Sequence, residues 1–346
     1  GRCSQHPGPE HTMAATAMVT AAASALWVCT PGAVAAAAKT PAPPPLPGGS
    51  ALAPDAAPAA FGERWRRDGL MLLRLPPSQH SLQEALRLVD GLMRSLGLIR
   101  NNMTVPELNG TSLNPRNFTF ATSPRRIAFV DNHFLAPADG TAQGPHQEGM
   151  HHTRNNRQAI AFFCEEPSDR DGDTALFDMQ RAWQLLPPHL QERLRAADFG
   201  YQNYDGGLSR VPCVVNHDVS GAPCLQFYCF GKLTRDCVDV YRETTGRYHV
   251  RPEPYTYLMD KEADLLLLPN GTTEKTPFIG LALYQMLSSV YGAMFSHHWE
   301  RGDVLVVDNV RWAHARLEGS GMKRAIRFFT YGPEDRSFDL NHLGRP

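Results

Sequence analysis

Apolar runs of strand length, each closed by a turn signal, set the limits on what this chain can fold into. Gly69-Leu70-Met71-Leu72-Leu73-Arg74-Leu75 stops at Pro76-Pro77, and Ile160-Ala161-Phe162-Phe163-Cys164 is equally short. Val304-Leu305-Val306-Val307 follows the Gly302-Asp303 turn, Arg126 to Val130 forms another run, and Ala325 to Tyr331 is the last. Runs this short, rich in β-branched and aromatic residues, read as buried strands. Helices separate them. Ser81 with Glu84 three residues on is a capping box, and Leu82, Leu86, Val89, Leu92, Met93 and Leu96 follow at helical spacing. Trp183 to Arg195 predicts a helix broken at Pro187-Pro188, and Phe278 to Phe295 a buried helix. No internal repeat is visible. Short strands with helical inserts predict a mainly β chain, a β-sandwich or jelly roll with helices decorating one side.

The 346 residues leave room for one large domain or two small ones. Residues 1–60 differ in kind from the remainder. Met13, a candidate start, opens a stretch to Ala38 with no charged residue, and a Pro-rich run from Pro41 to Pro47 follows. Such a segment reads as a disordered tail or as a cleaved targeting segment, organellar or secretory, with a Pro-rich linker. Without one the cytoplasm is expected. Its weakly hydrophobic composition disfavours a transmembrane helix, and residues 61–346 are expected to form the folded domain.

A net charge of −1 and no long basic run give no case for nucleic acid or an anionic membrane. Seven cysteines, an odd number, argue against a disulfide scaffold. The group from Cys213 to Cys237 lacks C-x-x-C spacing, so buried thiols are expected there rather than zinc.

His146-Gln147-Glu148 carries the most chemistry. Residues i and i+2 of a strand point the same way, so His146 and Glu148 can share a face that a distant His completes. Two imidazoles and a carboxylate bind one side of an Fe(II) ion and leave the other open. His314, in Asp308-Asn309-Val310-Arg311-Trp312-Ala313-His314-Ala315-Arg316, sits just past a buried strand. Arg324 and Arg327 then open the final strand. A buried cation needs an anion, and Arg is the side chain that grips a carboxylate with two parallel bonds.

Together, His146-Gln147-Glu148, Phe162-Phe163-Cys164-Glu165-Glu166-Pro167 and Gly172-Asp173-Thr174 resemble the taurine dioxygenase / clavaminate synthase-like family of Fe(II)- and 2-oxoglutarate-dependent oxygenases. Gly302 to Asn309, His314-Ala315-Arg316 and the following arginine continue the likeness, which spans about 61–335 and is densest at 144–178 and 299–332. The resemblance implies a double-stranded β-helix (jelly-roll) core decorated by α-helices, with His146, Glu148 and His314 as iron ligands. It implies that Thr174 and Arg324 hold the distal carboxylate of 2-oxoglutarate, while Arg327 falls one position from a second family arginine. The implied activity is hydroxylation, desaturation or cyclisation of a small-molecule substrate with O2, releasing succinate and CO2. Related halogenases carry a small residue where Glu148 stands, so halogenation is not expected. Asp171 replaces the first Gly of the family's Gly-Gly-x-Thr, predicting a differently shaped loop before Thr174. The polar, His-rich segment 149–154 is expected to alter the substrate pocket. A jelly-roll binding or structural protein without turnover is the competing reading.

The remaining conspicuous residues have ordinary readings. His151-His152 and His297-His298 are adjacent pairs that face opposite ways on a strand, and Gln226 to Phe230 reads as a core strand. Sequons at Asn102, Asn109, Asn117 and Asn270 matter only for a secreted chain.

Overall fold

A computed structural model gives the fold. It describes residues 46–47, 51–101, 103–104, 117–122, 125–130, 133–135, 144–149, 158–202, 208–227, 240–241, 243, 265–267, 275–277, 280–317, 319–320, 324–333 and 338–339. The chain divides into Gly1–Ala38 and Lys39–Pro346; the first unit lies outside the described residues, and the second is treated below. Also outside them are the His151-His152 pair, residues 228–230 of the aromatic run, and the sequon asparagines 102, 109 and 270.

The elements used below are α1 Ala57–Asp68, β1 Leu70–Arg74, α2 Leu82–Arg94, β2 Ala159–Glu166, β3 Thr174–Asp178, α3 Met179–Leu185, α4 Pro188–Arg195, α5 Gly280–Gly292, β4 Met294–His297, β5 Asp303–Asp308, β6 Trp312–Arg316 and β7 Ala325–Gly332. An eight-stranded sheet runs β1-β5-β2-β7 and continues through His133–Leu135, Arg125–Val130 and Asn117–Thr122, with the short strand Ile99–Arg100 also paired to β7. A three-stranded sheet runs β4-β3-β6. Both are antiparallel throughout these pairings.

Strand parity sorts the core into layers. In β2, Ile160, Phe162 and Cys164 join a cluster with Leu176 of β3, Leu305 and Val307 of β5, Trp312 of β6 and Ile326 of β7, so this cluster fills the space between the sheets. The alternate residues Ala159, Ala161 and Phe163 pack with Val304, Val306, Phe329 and Tyr331 against α1 and α2. Ala175, Phe177, Ala313 and Ala315 of the smaller sheet pack against α3, α4 and α5. Each fully buried Leu or Phe contributes about 1.5–3 kcal/mol. A one-residue slip would exchange these faces, so register is firmly specified.

The expected strands at 69–75, 126–130, 160–164, 304–307 and 325–331 are present within a residue or two, as is the helix after Ser81, whose Oγ accepts the Glu84 N–H at 3.3 Å. Four differences have physical causes. Helices cover both outer faces rather than one, because both sheets are apolar on their outer sides. The helix expected to run to Phe295 ends at Gly292, and Met294–His297 is a strand. Helical structure before Pro187 begins at Met179, where the Asp178 side chain accepts the N–H groups of Gln180 and Arg181 at 3.0 and 3.2 Å. Gln226 and Phe227 follow the short strand Pro223–Leu225 instead of forming one. Packing also starts before Phe61, since Leu46 lies against the inter-sheet cluster, Leu52 bridges Leu73 and Ala57 is buried in α1.

Candidate metal centre

β6 is fully buried and pairs along its length with β3, His314 opposite Leu176 and Arg316 opposite Thr174. Because Leu176 belongs to the inter-sheet cluster, parity turns Thr174, His314 and Arg316 into that space. The Phe162 ring meets the His314 ring edge-on at 5.1 Å.

The early motif joins this sheet through a single bridge. His146 N–H donates to the His314 carbonyl at 3.0 Å, and His314 N–H returns a bond to the His146 carbonyl at 2.8 Å. Residues that exchange both bonds project their side chains to the same face, and the two rings lie 4.3 Å apart between centroids. The rest of the motif is fixed by side-chain amides. Asn309 Oδ1 accepts the Glu148 N–H at 2.8 Å, and Asn309 Nδ2 donates to the Glu148 carbonyl at 3.0 Å. Gln147 Nε2 donates to the Val310 carbonyl at 2.7 Å, and Gln147 Oε1 accepts the Phe227 N–H at 2.8 Å. Both amides are fully buried. Asp308 secures the turn that presents Asn309: its Oδ1 accepts the Val310 and Arg311 N–H groups, and His217 Nε2 lies 3.0 Å from Oδ2.

His146 Nε2 lies 3.9 Å and His314 Nε2 4.0 Å from Glu148 Oε2. A donor atom of each of the three residues lies within 4.8 Å of the others, the sole such group among the described residues. Burial holds the His314 imidazole well below its ordinary value, with the His146 ring adding to the effect. Burial also lowers His146, against the opposing pull of Glu148 and the Gly144 carbonyl. Both rings are therefore neutral at pH 7, and the His–Glu approaches are not ion pairs. The His146 Nδ1 lies 2.9 Å from the Gly144 carbonyl. A carbonyl only accepts, so Nδ1 carries the proton and the Nε2 lone pair faces Glu148. The His146 lone pair, a carboxylate oxygen and a second neutral imidazole that converge in this way form a donor set suited to a cation. The donor set fits iron.

Asp171 adopts φ +52° and Gly172 φ +76°. Asp171 takes a positive φ, a conformation Asp tolerates better than most non-glycine residues. Gly172 cannot be replaced so easily: a Cβ there would collide with the Ser168 side chain. Arg324 is buried and its Nε donates to the Gly172 carbonyl at 3.3 Å. It precedes β7, ahead of a register shift between Ala325 and Ile326, and its side chain lies against Gly172, two residues before Thr174. Arg327 alternates with Ile326 and Phe328, which face the inter-sheet cluster, and pairs with Glu165 at 2.8 Å, away from that space. Cys164, Cys213 and Cys224 are free and buried; burial pushes the Cys164 and Cys224 thiols up to about 12.

The family model described as taurine catabolism dioxygenase TauD, TfdA family, matches residues 45–328. The chain belongs to this family. It is an Fe(II)- and 2-oxoglutarate-dependent dioxygenase, and the family implies O2 and a small-molecule substrate. No curated protein matches it. Among solved structures, PvcB, an Fe, alpha-ketoglutarate dependent oxygenase from an isonitrile synthetic pathway, is similar to the dioxygenase at 18% identity and TM-score 0.47, covering 82% of this chain and 83% of that one. A PvcB structure from Pseudomonas aeruginosa gives 18% and 0.48 with the same coverage. A candidate alpha-ketoglutarate dependent 2,4-D dioxygenase from Burkholderia xenovorans gives 13% and 0.47, over 80% of this chain and 88% of that one.

Sequence reasoning named His146, Glu148, His314, Thr174 and Arg324 but assigned nothing to Gln147, Asn309 or Arg316. The signal for the two amides was their place beside ligands, an uncharged buried Gln inside His-x-Glu and an Asn after a buried strand. Among the described residues no helix is long and apolar enough to cross a membrane.

Proposed function

We propose that this dioxygenase hydroxylates, desaturates or cyclises a small organic molecule at iron held by His146, Glu148 and His314, inside a double-stranded β-helix made by the two sheets. Thr174 and Arg324 take the distal carboxylate of 2-oxoglutarate in this reading, and Arg327 serves as a structural cation. The convergence of the two neutral imidazoles with Glu148, in one buried space with Thr174 and Arg324, carries the proposal.

Bound iron and 2-oxoglutarate supply the oxidising power, the cosubstrate leaving as succinate and CO2. The chain supplies position and dryness. His146 and His314 present neutral Nε2 atoms without first losing a proton. Glu148 occupies the third protein position, which disfavours chloride there and hence halogenation. Arg324, always charged, offers a planar pair of donors to a carboxylate. Phe162, Leu176 and Trp299 surround the space with apolar surface that excludes water, strengthening each electrostatic contact within it.

Iron-loaded protein given 2-oxoglutarate, oxygen and a small-molecule library is expected to release succinate in step with one oxidised product, heavier by one oxygen or lighter by two hydrogens. Absence of succinate with and without every candidate, from protein that binds iron, would favour the non-catalytic reading. A chlorinated product would contradict the role given to Glu148.

A further inference from the structure

We propose that Trp299 is a positioning residue that turns the Thr174 hydroxyl into a hydrogen-bond donor aimed at the distal carboxylate of 2-oxoglutarate. The inference rests on the reading of Thr174 and Arg324 as the distal carboxylate contact.

The indole Nε1–H of Trp299 lies 2.9 Å from Thr174 Oγ1, and both residues are buried. Indole nitrogen donates and never accepts, so the threonine oxygen is the acceptor here. A hydroxyl has one proton, and with a lone pair turned to the indole its O–H points elsewhere. The backbone of Thr174 has little freedom, being paired with His297 on one side and Arg316 on the other. What remains is the side-chain torsion and the hydroxyl rotor, and the indole constrains both. A carboxylate only accepts. A hydroxyl preset as a donor suits it, whereas one turned the other way would oppose lone pairs to negative charge.

Trp299 is itself held. Its ring meets that of His297 nearly perpendicularly at 4.6 Å and lies 6.4 Å from Phe162. His297 Nε2 lies 3.2 Å from Asp303 Oδ2, and the fully buried Asp303 accepts from Arg74 Nε at 2.8 Å and from the Glu300 N–H at 2.9 Å. A line of contacts thus runs from Arg74 on β1 through Asp303, His297 and Trp299 to one hydroxyl. On the far side of Thr174, His298 Nδ1 lies 2.8 Å from Asp173 Oδ1, and the Asp173 carbonyl accepts the Leu317 N–H at 2.9 Å.

The test is a double-mutant cycle read by anaerobic calorimetry of 2-oxoglutarate binding to Fe(II)-loaded protein. Trp299→Phe keeps an aromatic ring and removes the donor. It is expected to weaken 2-oxoglutarate roughly 10- to 100-fold, the scale of a hydrogen bond to a charged group, while Fe(II) affinity without cosubstrate stays as in wild type. Thr174→Val is expected to weaken it similarly, Thr174→Ser to retain most affinity, and the double variant to bind no worse than Thr174→Val. An equal penalty for Trp299→Phe in both backgrounds, or none in either, would overturn the proposal. Should the Phe variant not fold, Trp299→Leu, which likewise removes the donor, takes its place in the same cycle and is held to the same two outcomes. Unchanged binding in Thr174→Val would instead remove the underlying reading of Thr174, a separate failure.

Discussion

His314 rides on a strand paired with β3 at all five of its residues, whereas His146 and Glu148 stand on a turn with one backbone bridge to that strand. On the late limb, many small ladder terms share the work of fixing one imidazole. On the early limb, Gln147 and Asn309 hold the ligands through four side-chain hydrogen bonds in a fully buried setting. Removing a partner from a buried polar group costs about 1–3 kcal/mol per group left unsatisfied, so the early limb is the more brittle. The contrast shows how a sheet can carry an open metal face. The ladder fixes one ligand, and a side-chain clamp holds the other two.

Asn309→Leu strikes the clamp hardest. It is expected to lower Fe(II) affinity roughly 100-fold, toward the upper end for loss of a ligand-orienting partner, in an anaerobic titration. A change under threefold would erase the difference between the limbs. The arginines beyond the late limb come next. Arg324→Ala should raise the KM for 2-oxoglutarate roughly 30-fold, as for removal of one partner of a buried charged pair, while Arg327→Ala should change it less than about twofold. Loss of the partly exposed Arg327–Glu165 pair is worth at most about 1 kcal/mol of stability. Equal effects of the two would mean that the contact with Gly172 rather than Glu165 does not decide which arginine serves the site.

Proton uptake gives a finer comparison. Both imidazoles sit below the ordinary 6.5, His314 further than His146. Below 6.5 the unfolded chain binds protons that the fold refuses, so their contribution to stability is complete above 6.5 and declines as pH falls from there through the folded values. At pH 7.5 the two ligands are already neutral, and Fe(II) binding measured in buffers of different ionisation enthalpy should release close to no proton from them. Release approaching one proton per ion would contradict the buried, neutral pair. The smallest effect is expected behind the late limb. Phe162→Leu should cost about 1 kcal/mol of stability in denaturant and leave Fe(II) affinity within about twofold.

Much of this was legible because the relevant signals are local. Strand-length runs ended by Gly or Pro marked β1, β2, β5 and β7, and the order of His-x-Glu, Thr, His and Arg marked the site. The two arginines were not separable, since the register shift between Ala325 and Ile326 that parts them leaves no mark in the sequence. The α5 boundary was lost for a related reason. An apolar helix running into an apolar strand offers no change of pattern, and Gly292 was the one stop signal. Asn309, Gln147 and Trp299 act on partners 80 or more residues distant, and no periodicity encodes such pairings.

The account depends on one ion bound by three side chains. Anaerobic Fe(II) titration of wild type, His146→Ala, Glu148→Ala and His314→Ala tests it most directly. One ion per wild-type chain and affinity reduced at least about 100-fold in each variant is the predicted result; undiminished binding of one Fe(II) by the His146→Ala protein would contradict it.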